Sequence, residues 1–306
     1  MASAWGSGAD LGPGGAPSGK RLRGGPGGGK DPGLQRGPGQ PAEDRSPRSL
    51  PAPQGGPGGL RGTYGDRPHR PFPETVREFL EIMQETLGQG GKVFIPSFAV
   101  ERAQEILFLL YENGHRLPKA PVYLDSPMAE RVLELYPRLV RYFSEEVQAY
   151  FLQGKNPFRP KGLWVVESPE ESRALGREPG PMVVIAGSGM LSGGRILSHL
   201  RHGLSDPKNA LVLVGYQPKG GLGAELIARP PSVRILGEEV PLRARVHTLG
   251  GFSGHAGQDE LLDWLKDQPR VVLVHGEEEK LLELGKLLAL RGQEASLARF
   301  GEGVEA

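Results

Sequence analysis

The sequence predicts an α/β protein built on a doubly wound parallel sheet, with a disordered N-terminal tail before it and a smaller segment after it. From residue 63 onward, short apolar strands without polar alternation are separated by helical segments, which indicates a parallel sheet covered on both faces. Residues 1–60 instead contain 18 Gly and 10 Pro and not one Val, Ile, Phe or Tyr. Such a segment cannot bury enough apolar surface to offset chain entropy, so we expect it to be disordered.

Apolar spacing and turn signals predict the elements in order. A helix is expected over 74–87, where apolar residues recur at helical spacing and glycines follow, and the strand KVFIP comes next. The following strands are PVYLD, LWVVE, PMVVIAG and ALVLVGY, with helices over 101–110, within 130–151 and over 194–200. The doubly wound sheet should therefore occupy residues 88–216. Beyond it, the sequence predicts antiparallel strands in VRILGEEVPLRARVHTLG, a helix over 259–265, a buried strand RVVLVHG and a closing helix over 278–291.

Composition narrows the class of protein. The chain has 306 residues, a formal charge of +1 and 37% hydrophobic residues, which allows one or two domains with real cores and implies no partner attracted by net charge. The absence of cysteine excludes disulfides and thiolate ligands, so any metal must be bound by His and carboxylates. Because no apolar stretch reaches the roughly 18 residues of a membrane span and the start does not resemble a signal peptide, we expect a soluble cytoplasmic protein that contacts no membrane.

The Gly-rich string GSGMLSGG follows a predicted parallel strand and precedes a helix. Ligands collect at such positions because helix N-termini direct free N–H groups at anions. We therefore predict that Ser188, Gly189 and Met190 bind a phosphate of a nucleic-acid backbone, with Arg195 nearby. A plain strand-to-helix turn without a ligand explains the same string equally well.

Two histidines differ in placement from the others. His255 lies in the Gly-rich loop GGFSGHAGQDE before a predicted helix, and His275 directly follows the apolar strand VVLV. Loop and strand-end positions of this kind can supply a metal ligand or an acid–base group. His115, His199 and His202 are interpreted as surface or core residues, and the run Glu277–Glu279 as a solvated helix N-terminus.

Several strings together resemble the β-CASP ribonucleases of the metallo-β-lactamase fold: GTYGDRPHR, IPSFAVERAQEIL, YLDSPMA, IAGSGMLSGGR, GFSGHAG and LVHGE. The resemblance implies a β-CASP domain with its entry segment over 61–250 and a C-terminal piece of a metallo-β-lactamase αββα domain over 251–306. It also implies RNA as the partner and zinc-dependent hydrolysis of RNA phosphodiesters in RNA processing, with two zinc ions activating water. By the same resemblance, His255 protonates the leaving oxygen as a catalytic residue and His275 is a metal ligand.

The chain also departs from the family pattern. The main zinc-binding string H-x-H-x-D-H is absent from the sequence, and Arg61 stands where the family has an acidic residue before G-T-Y-G. A catalytic zinc needs about three protein ligands, which His275 alone cannot supply. We therefore expect an incomplete or absent zinc site and a truncated, weakly active or inactive nuclease. The alternatives are a non-catalytic RNA-binding module and a pseudogene-like product.

The tail itself prompts a hypothesis about its coding sequence. If each codon is read one base later, residues 16–23 become compatible with H-L-P-G-S-A-F and residues 32–41 with T-L-V-Y-S-G-D-L-G-N, which resemble two zinc motifs of the family. The shifted His and Asp codons lie 21 codons apart, from position 16 to position 37. Residues 1–60 would then be an out-of-frame product, whereas the alternative is a genuine Gly/Pro-rich tail. The nucleotide sequence decides between them.

One consequence concerns the C-terminal segment. If the metallo-β-lactamase strands that normally cover it are missing, we expect Val271, Leu273 and Leu284 to be poorly covered. Exposed apolar surface of that kind favours association, so a homodimer or aggregation through the uncovered sheet is expected.

Overall fold

The computed structural model describes residues 58–298. Residues 1–57 of the predicted tail, with the frame-shift hypothesis, and residues 299–306 lie outside the described residues. The helices are α1 (Phe72–Gly88), α2 (Arg102–Asn113), α3 (Pro127–Leu135), α4 (Glu145–Leu152), α5 (Pro169–Arg177), α6 (Ile196–Gly203), α7 (Leu222–Ile227), α8 (Gln258–Trp264) and α9 (Glu278–Leu290). The strands are β1 (Gly58–Arg61), β2 (Lys92–Pro96), β3 (Val122–Asp125), β4 (Leu163–Val165), β5 (Met182–Ala186), β6 (Ala210–Leu213), β7 (Ser232–Ile235), β8 (Glu238–Pro241), β9 (Arg245–Thr248), β10 (Arg270–Val274) and β11 (Glu294–Leu297).

A six-stranded sheet forms the larger region, in the order β4-β3-β5-β2-β6-β9 with every neighbouring pair parallel. Two apolar cores cover its faces. One contains residues of α1 to α4, and the other contains residues of α5 to α7 with β7 and β8. Because successive side chains of a strand point to opposite faces, Val93 and Ile95 join the first core and Phe94 the second. The prediction of a doubly wound parallel sheet is confirmed.

The segment 130–151, predicted as one or two helices, contains two, α3 and α4, of which α3 already begins at Pro127. Ser126 caps the N-terminus of α3 by accepting from Ala129 N at 3.3 Å, and Ser144 caps α4 in the same way. Short 3₁₀ turns at 136–138 and 140–142 separate the two helices. Pro137 lies in the first of these turns, and its missing N–H prevents α3 from continuing as an α-helix.

Of the strands predicted to be antiparallel after residue 232, only β7 and β8 pair in that way. β7 and β8 form an antiparallel hairpin whose two-residue turn has positive φ at Leu236 and Gly237, at 52° and 86°. The prediction is wrong for β9, which pairs parallel with β6 and completes the large sheet. Main-chain bonds from Arg243 and Ala244 to Leu204 O, at 2.8 and 2.9 Å, direct the chain back to that sheet edge.

A second, three-stranded sheet has the order β1-β10-β11, again all parallel. Gly58–Leu60, which the sequence assigned to the tail, lie in β1 because their backbone pairs with β10. The expectation that Val271, Leu273 and Leu284 are poorly covered is wrong, since all three are at most 1% exposed. They pack with Leu60 and with leucines of α8 and α9, so the predicted reason for association through them falls away.

No helix within residues 58–298 is both long and apolar enough to cross a membrane. The cytoplasmic location and the oligomeric state stay predictions.

Candidate functional site

A cavity of about 1190 Å³ opens where loops of the larger region meet loops of a smaller region, the part of the chain built on the three-stranded sheet. The larger region contributes segments that follow β2, β5 and β6 and the start of α3, and the smaller region contributes residue 63 and the segments around 254 and 276. The lining residues are Thr63, Phe98, Ala99, Val100, Glu101, Arg102, Met128, Met190, Gly215, Tyr216, Pro218, Lys219, Ser253, Gly254, His255, His275, Gly276 and Glu277. We call the lining residues of the larger region, from Phe98 to Arg102, Met128, Met190 and those at 215–219, the strand-tip wall. The remaining lining residues, which include Ser253, His255, His275 and Glu277, form the histidine wall.

The strand-tip wall is apolar at its mouth. Phe98, Val100 and Met128 are 46%, 58% and 63% exposed although they are large hydrophobic side chains. Isolated exposed hydrophobic residues are ordinary, but three at the mouth of one cavity form a patch of the kind that marks ligand-binding grooves.

Glu101 lies behind this patch in a strained conformation. Its φ and ψ are 72° and −60°, and Arg102 N donates to Val100 O at 2.9 Å across it. These values define a γ-turn of the rare, strained type. Burial, with Glu105 nearby, raises the pKa of Glu101 to about 7 despite the adjacent Arg102. The cleft thus contains a carboxyl group that changes charge near neutral pH.

The histidine wall holds His255 through its backbone. His69 Nε2 donates to His255 O at 2.8 Å, and His255 N donates to Ser253 Oγ at 3.2 Å. The ring of Tyr64 lies edge-on to that of His69, with centroids 4.5 Å apart. Gly257 permits this packing, because a Cβ there would be only 2.8 Å from His69 N. The strings GTYGDRPHR and GFSGHAG, far apart in sequence, therefore form one structural unit.

His275 lines the same cavity and has an unusual backbone, with φ at 51°. A positive φ is uncommon for a residue with a side chain and often marks functional sites. Two residues later, Glu277 accepts hydrogen bonds from Tyr216 and from Lys280 Nζ, the latter at 2.9 Å. The bond from Tyr216, together with Lys280, lowers the pKa of Glu277 to about 2. Glu277 stands at the N-terminus of α9, as the sequence suggested, but its side chain is bonded and not merely solvated, and it ties the loop after β6 to the start of α9.

A second cavity of about 360 Å³ adjoins the strand-tip wall and is lined by Phe98, Asp125, Ser188, Gly189 and Arg195, among others. Ser188 N and Oγ both bond Gly193 O, at 3.1 and 3.2 Å, which closes the loop on itself. Gly194 has a φ of 81°, and a Cβ there would be 2.3 Å from Gly187 O, so only glycine fits. The predicted phosphate loop is thus a compact turn beside the cleft.

Arg195 has a partner that the sequence did not reveal. Its Nη1 donates to Asp125 Oδ1 at 2.6 Å and to Val166 O at 3.0 Å. Asp125 Oδ2 also accepts from Ser172 Oγ at 2.5 Å and from His199 Nε2 at 2.6 Å. Burial alone would raise the pKa of Asp125, but these hydrogen bonds lower it below its ordinary value. The guanidinium therefore neutralises a buried carboxylate and anchors the start of α6.

Comparison with known proteins places this geometry in a family. The model of the Beta-Casp domain matches residues 103–226, and that of the Zn-dependent metallo-hydrolase RNA specificity domain matches residues 239–298. Ribonuclease TTHA0252 of Thermus thermophilus is 84% identical over 243 residues, which are 79% of this chain and 56% of that protein. The chain belongs to the metallo-β-lactamase-fold β-CASP ribonuclease family.

Archaeal relatives of the chain are less similar in sequence. Transcription termination factor FttA of Methanocaldococcus jannaschii is 38% identical over 236 residues, which are 72% of this chain and 36% of that protein. FttA of Pyrococcus abyssi is 35% identical over 241 residues, 74% of this chain and 37% of that protein. The chain spans about half the length of the bacterial relative and about a third of the length of the archaeal ones.

The described residues of this chain supply only one candidate ligand for the zinc that the matched C-terminal family model is named for. Within residues 58–298, no three His, Asp or Glu side chains lie close enough together to hold a metal ion. His275 is suitably placed at a strand end, but a catalytic zinc needs about three protein ligands. The described residues therefore do not fit a complete zinc site.

Of the predicted site residues, the structure places His255, His275 and Met190 in the lining of the large cleft and Ser188, Gly189 and Arg195 in that of its neighbour, and the roles of all six stay predictions. It missed His69, Asp125 and Glu101. Asp125 could have been noticed, because it ends an apolar strand of a parallel sheet, where functional side chains collect.

Proposed function

We propose that this chain binds RNA in the cleft and that the cleft is part of a site for RNA phosphodiester hydrolysis. One observation carries the proposal: His255 and His275 come from separate loops and line the same cavity as the strand-tip wall of the β-CASP region. A substrate held against that wall would face two imidazoles. The relatives support RNA as the ligand, since one is named a ribonuclease and the matched C-terminal model is named for RNA specificity.

We assign the roles as follows. His255 donates a proton to the leaving oxygen of the phosphodiester, a task suited to imidazole near neutral pH. His275 is the one described residue that would hold zinc, and an ion completed by further ligands would supply Lewis-acid stabilisation of the phosphate charge. The compact loop at Ser188, Gly189 and Met190 binds a neighbouring backbone phosphate through the main-chain N–H groups of Gly189 and Met190, since Ser188 N already donates to Gly193 O. Arg195, held by Asp125, supports that loop from below.

Hydrolysis by the described residues alone should be weak or absent, because they offer one candidate zinc ligand in all, His275. The same observation favours a second candidate function, an RNA-binding module that does not cleave.

The test uses the full chain and a 5′-labelled single-stranded RNA, with and without added zinc. His255→Ala should reduce any cleavage by roughly 10²- to 10⁴-fold, the usual contribution of general acid–base catalysis. His115→Ala is the matched control, because His115 is exposed in a 3₁₀ turn remote from the cavity lining, and it should leave cleavage unchanged.

Cleavage that depends on His255 but not on His115 would support the hydrolase. Salt-dependent RNA binding without cleavage would instead support the binding module. A chain that neither binds nor cleaves RNA would contradict both functions and is the result expected of a pseudogene-like product.

A further inference from the structure

Phe98 occupies an unusual position for an aromatic side chain. It follows β2 directly, is 46% exposed and lines both the large cleft and the smaller cavity beside the Ser188 loop. None of the other aromatic rings described in residues 58–298 packs against it closely enough to form a ring pair. Phe98 therefore belongs to the lining that the two cavities share.

The main chain holds this exposed ring in place. A Cβ on Gly189 would lie 3.0 Å from Phe98 Cδ2, and one on Gly215 would lie 3.9 Å from Phe98 Cε2. The ring thus rests against two glycines at the ends of neighbouring strands, where no side chain intervenes. Ala103 N and Ser97 Oγ donate to Phe98 O at 3.3 and 3.1 Å, which fixes the backbone on the other side. An exposed ring that is already ordered loses little conformational entropy when a ligand stacks on it.

We propose that Phe98 is a stacking platform for a nucleobase of single-stranded RNA, placed so that one nucleotide bridges the cleft and the Ser188 cavity. The inference rests on the proposed function, since it names the form of RNA that the cleft accepts. Base-on-aromatic stacking suits any base, because each has a π-face, so the platform gives affinity without sequence preference. A paired duplex cannot supply a free base face, which is why the predicted ligand is single-stranded.

The surroundings of Phe98 fit a base flanked by phosphates. Val100 and Met128 extend the apolar surface at the mouth, whereas the opposite wall carries Ser253, His255 and His275. Glu101 is the acidic group nearest along the chain, and burial leaves it partly uncharged near neutral pH, so its repulsion of a phosphate is reduced. The strand-tip wall therefore offers a base-sized apolar face beside polar groups.

The experiment measures binding of the full chain to a single-stranded oligoribonucleotide that contains 2-aminopurine, whose fluorescence is quenched by stacking. Phe98→Ala and Phe98→Leu should raise Kd roughly 5- to 150-fold at fixed salt and abolish the quench, as expected for the loss of one stacked base. Phe98→Trp should keep both affinity and quench. Leu retains most of the apolar bulk, so a loss in Phe98→Leu reports the aromatic face and not a failure to fold.

Trp164→Ala is the matched control. Trp164 is 62% exposed on β4, at the far edge of the same sheet, and lines neither cavity. Its replacement should leave Kd and quench unchanged. Equal binding and quench by the wild-type chain and Phe98→Leu would overturn the platform.

The outcomes also separate this inference from the proposed hydrolysis. Binding without cleavage, weakened by Phe98→Leu, supports the platform and contradicts hydrolysis. Cleavage with binding that is insensitive to Phe98 overturns the platform alone. A wild-type chain that fails to bind single-stranded RNA overturns both.

Discussion

In the six-stranded sheet, β2 and β5 are buried at all five positions, whereas burial alternates along β10 of the three-stranded sheet. Val271 and Leu273 face the leucines of α8 and α9, but Val272 and Val274 are only half-buried. A parallel sheet is normally covered on both faces, so the smaller region is the less enclosed of the two. The strand-tip wall therefore follows strands that are buried on both faces, whereas His255 and His275 belong to the less enclosed region.

The largest effect should come from the buried carboxylate of the larger region. Asp125→Ala removes the partner of Arg195, His199 and Ser172, and leaves an uncompensated guanidinium behind. We expect a loss of about 3–5 kcal/mol in the free energy of unfolding, measured by urea titration. Glu170→Ala, which breaks a fully exposed ion pair with Arg173, should leave the urea midpoint almost unchanged, because water screens that pair. Equal effects of the two substitutions would contradict the role assigned to Asp125.

Leu284→Ala tests whether the smaller region is the weaker one. Leu284 is fully buried beneath the three-stranded sheet, so its truncation should cost roughly 2–5 kcal/mol. Amide hydrogen exchange should then accelerate in β10 and α9 while β2 and β5 keep their protection. Equal acceleration in both sheets would show that the two regions unfold as one.

Glu101→Gln should change how stability depends on pH. Because the folded pKa of about 7 lies above the ordinary value of 4.5, the unfolded state loses its proton first, and the wild-type chain loses stability as pH rises between these values. The variant should lack this loss and be more stable at pH 8 by about 1–3 kcal/mol. Thermal unfolding at pH 5 and pH 8 measures the difference, and parallel behaviour of the two chains would be evidence against the buried acid.

The smallest effect concerns the tie between the two regions. Tyr216→Phe removes the hydrogen bond to Glu277 and keeps the ring beneath Lys280 Nζ, 4.5 Å from the centroid. We expect a cost of about 1 kcal/mol. Because that bond lowers the pKa of Glu277, the carboxylate of the variant, followed by NMR, should titrate above about 2. An unchanged titration would show that Lys280 alone sets the pKa.

Much of the fold could be predicted from sequence, because local patterns dictate it. Runs such as VFI in β2 and MVVI in β5 are apolar without alternation, which indicates strands buried on both faces. β9 could not be assigned in this way. The order of strands in a sheet depends on long-range pairing, and the four residues RVHT have no pattern that separates a hairpin strand from an edge strand of a parallel sheet.

The sequence indicated His255 and His275 as candidate site residues, but it did not indicate the residues that surround and hold the site. His255 and His275 stand next to turn and strand signals that can be read locally. The pairing of Asp125 with Arg195 spans 70 residues, and the raised pKa of Glu101 arises from burial that only the tertiary structure creates. The prediction that Val271 and Leu273 are poorly covered was wrong because the sequence alone did not show which face of β10 is buried. Val271 and Leu273 lie on the buried face, and Val272 and Val274 are the half-buried residues.

The central claim is that the strand-tip wall and the histidine wall act on one RNA ligand. The most direct test crosslinks the full chain to single-stranded RNA carrying 4-thiouridine and maps the modified residues by mass spectrometry. We expect crosslinks on both walls, at or next to Phe98 or Met128 on one and at or next to Ser253 or His255 on the other. Crosslinks confined to one wall, or found only on remote surfaces such as that around Trp164, would contradict the claim.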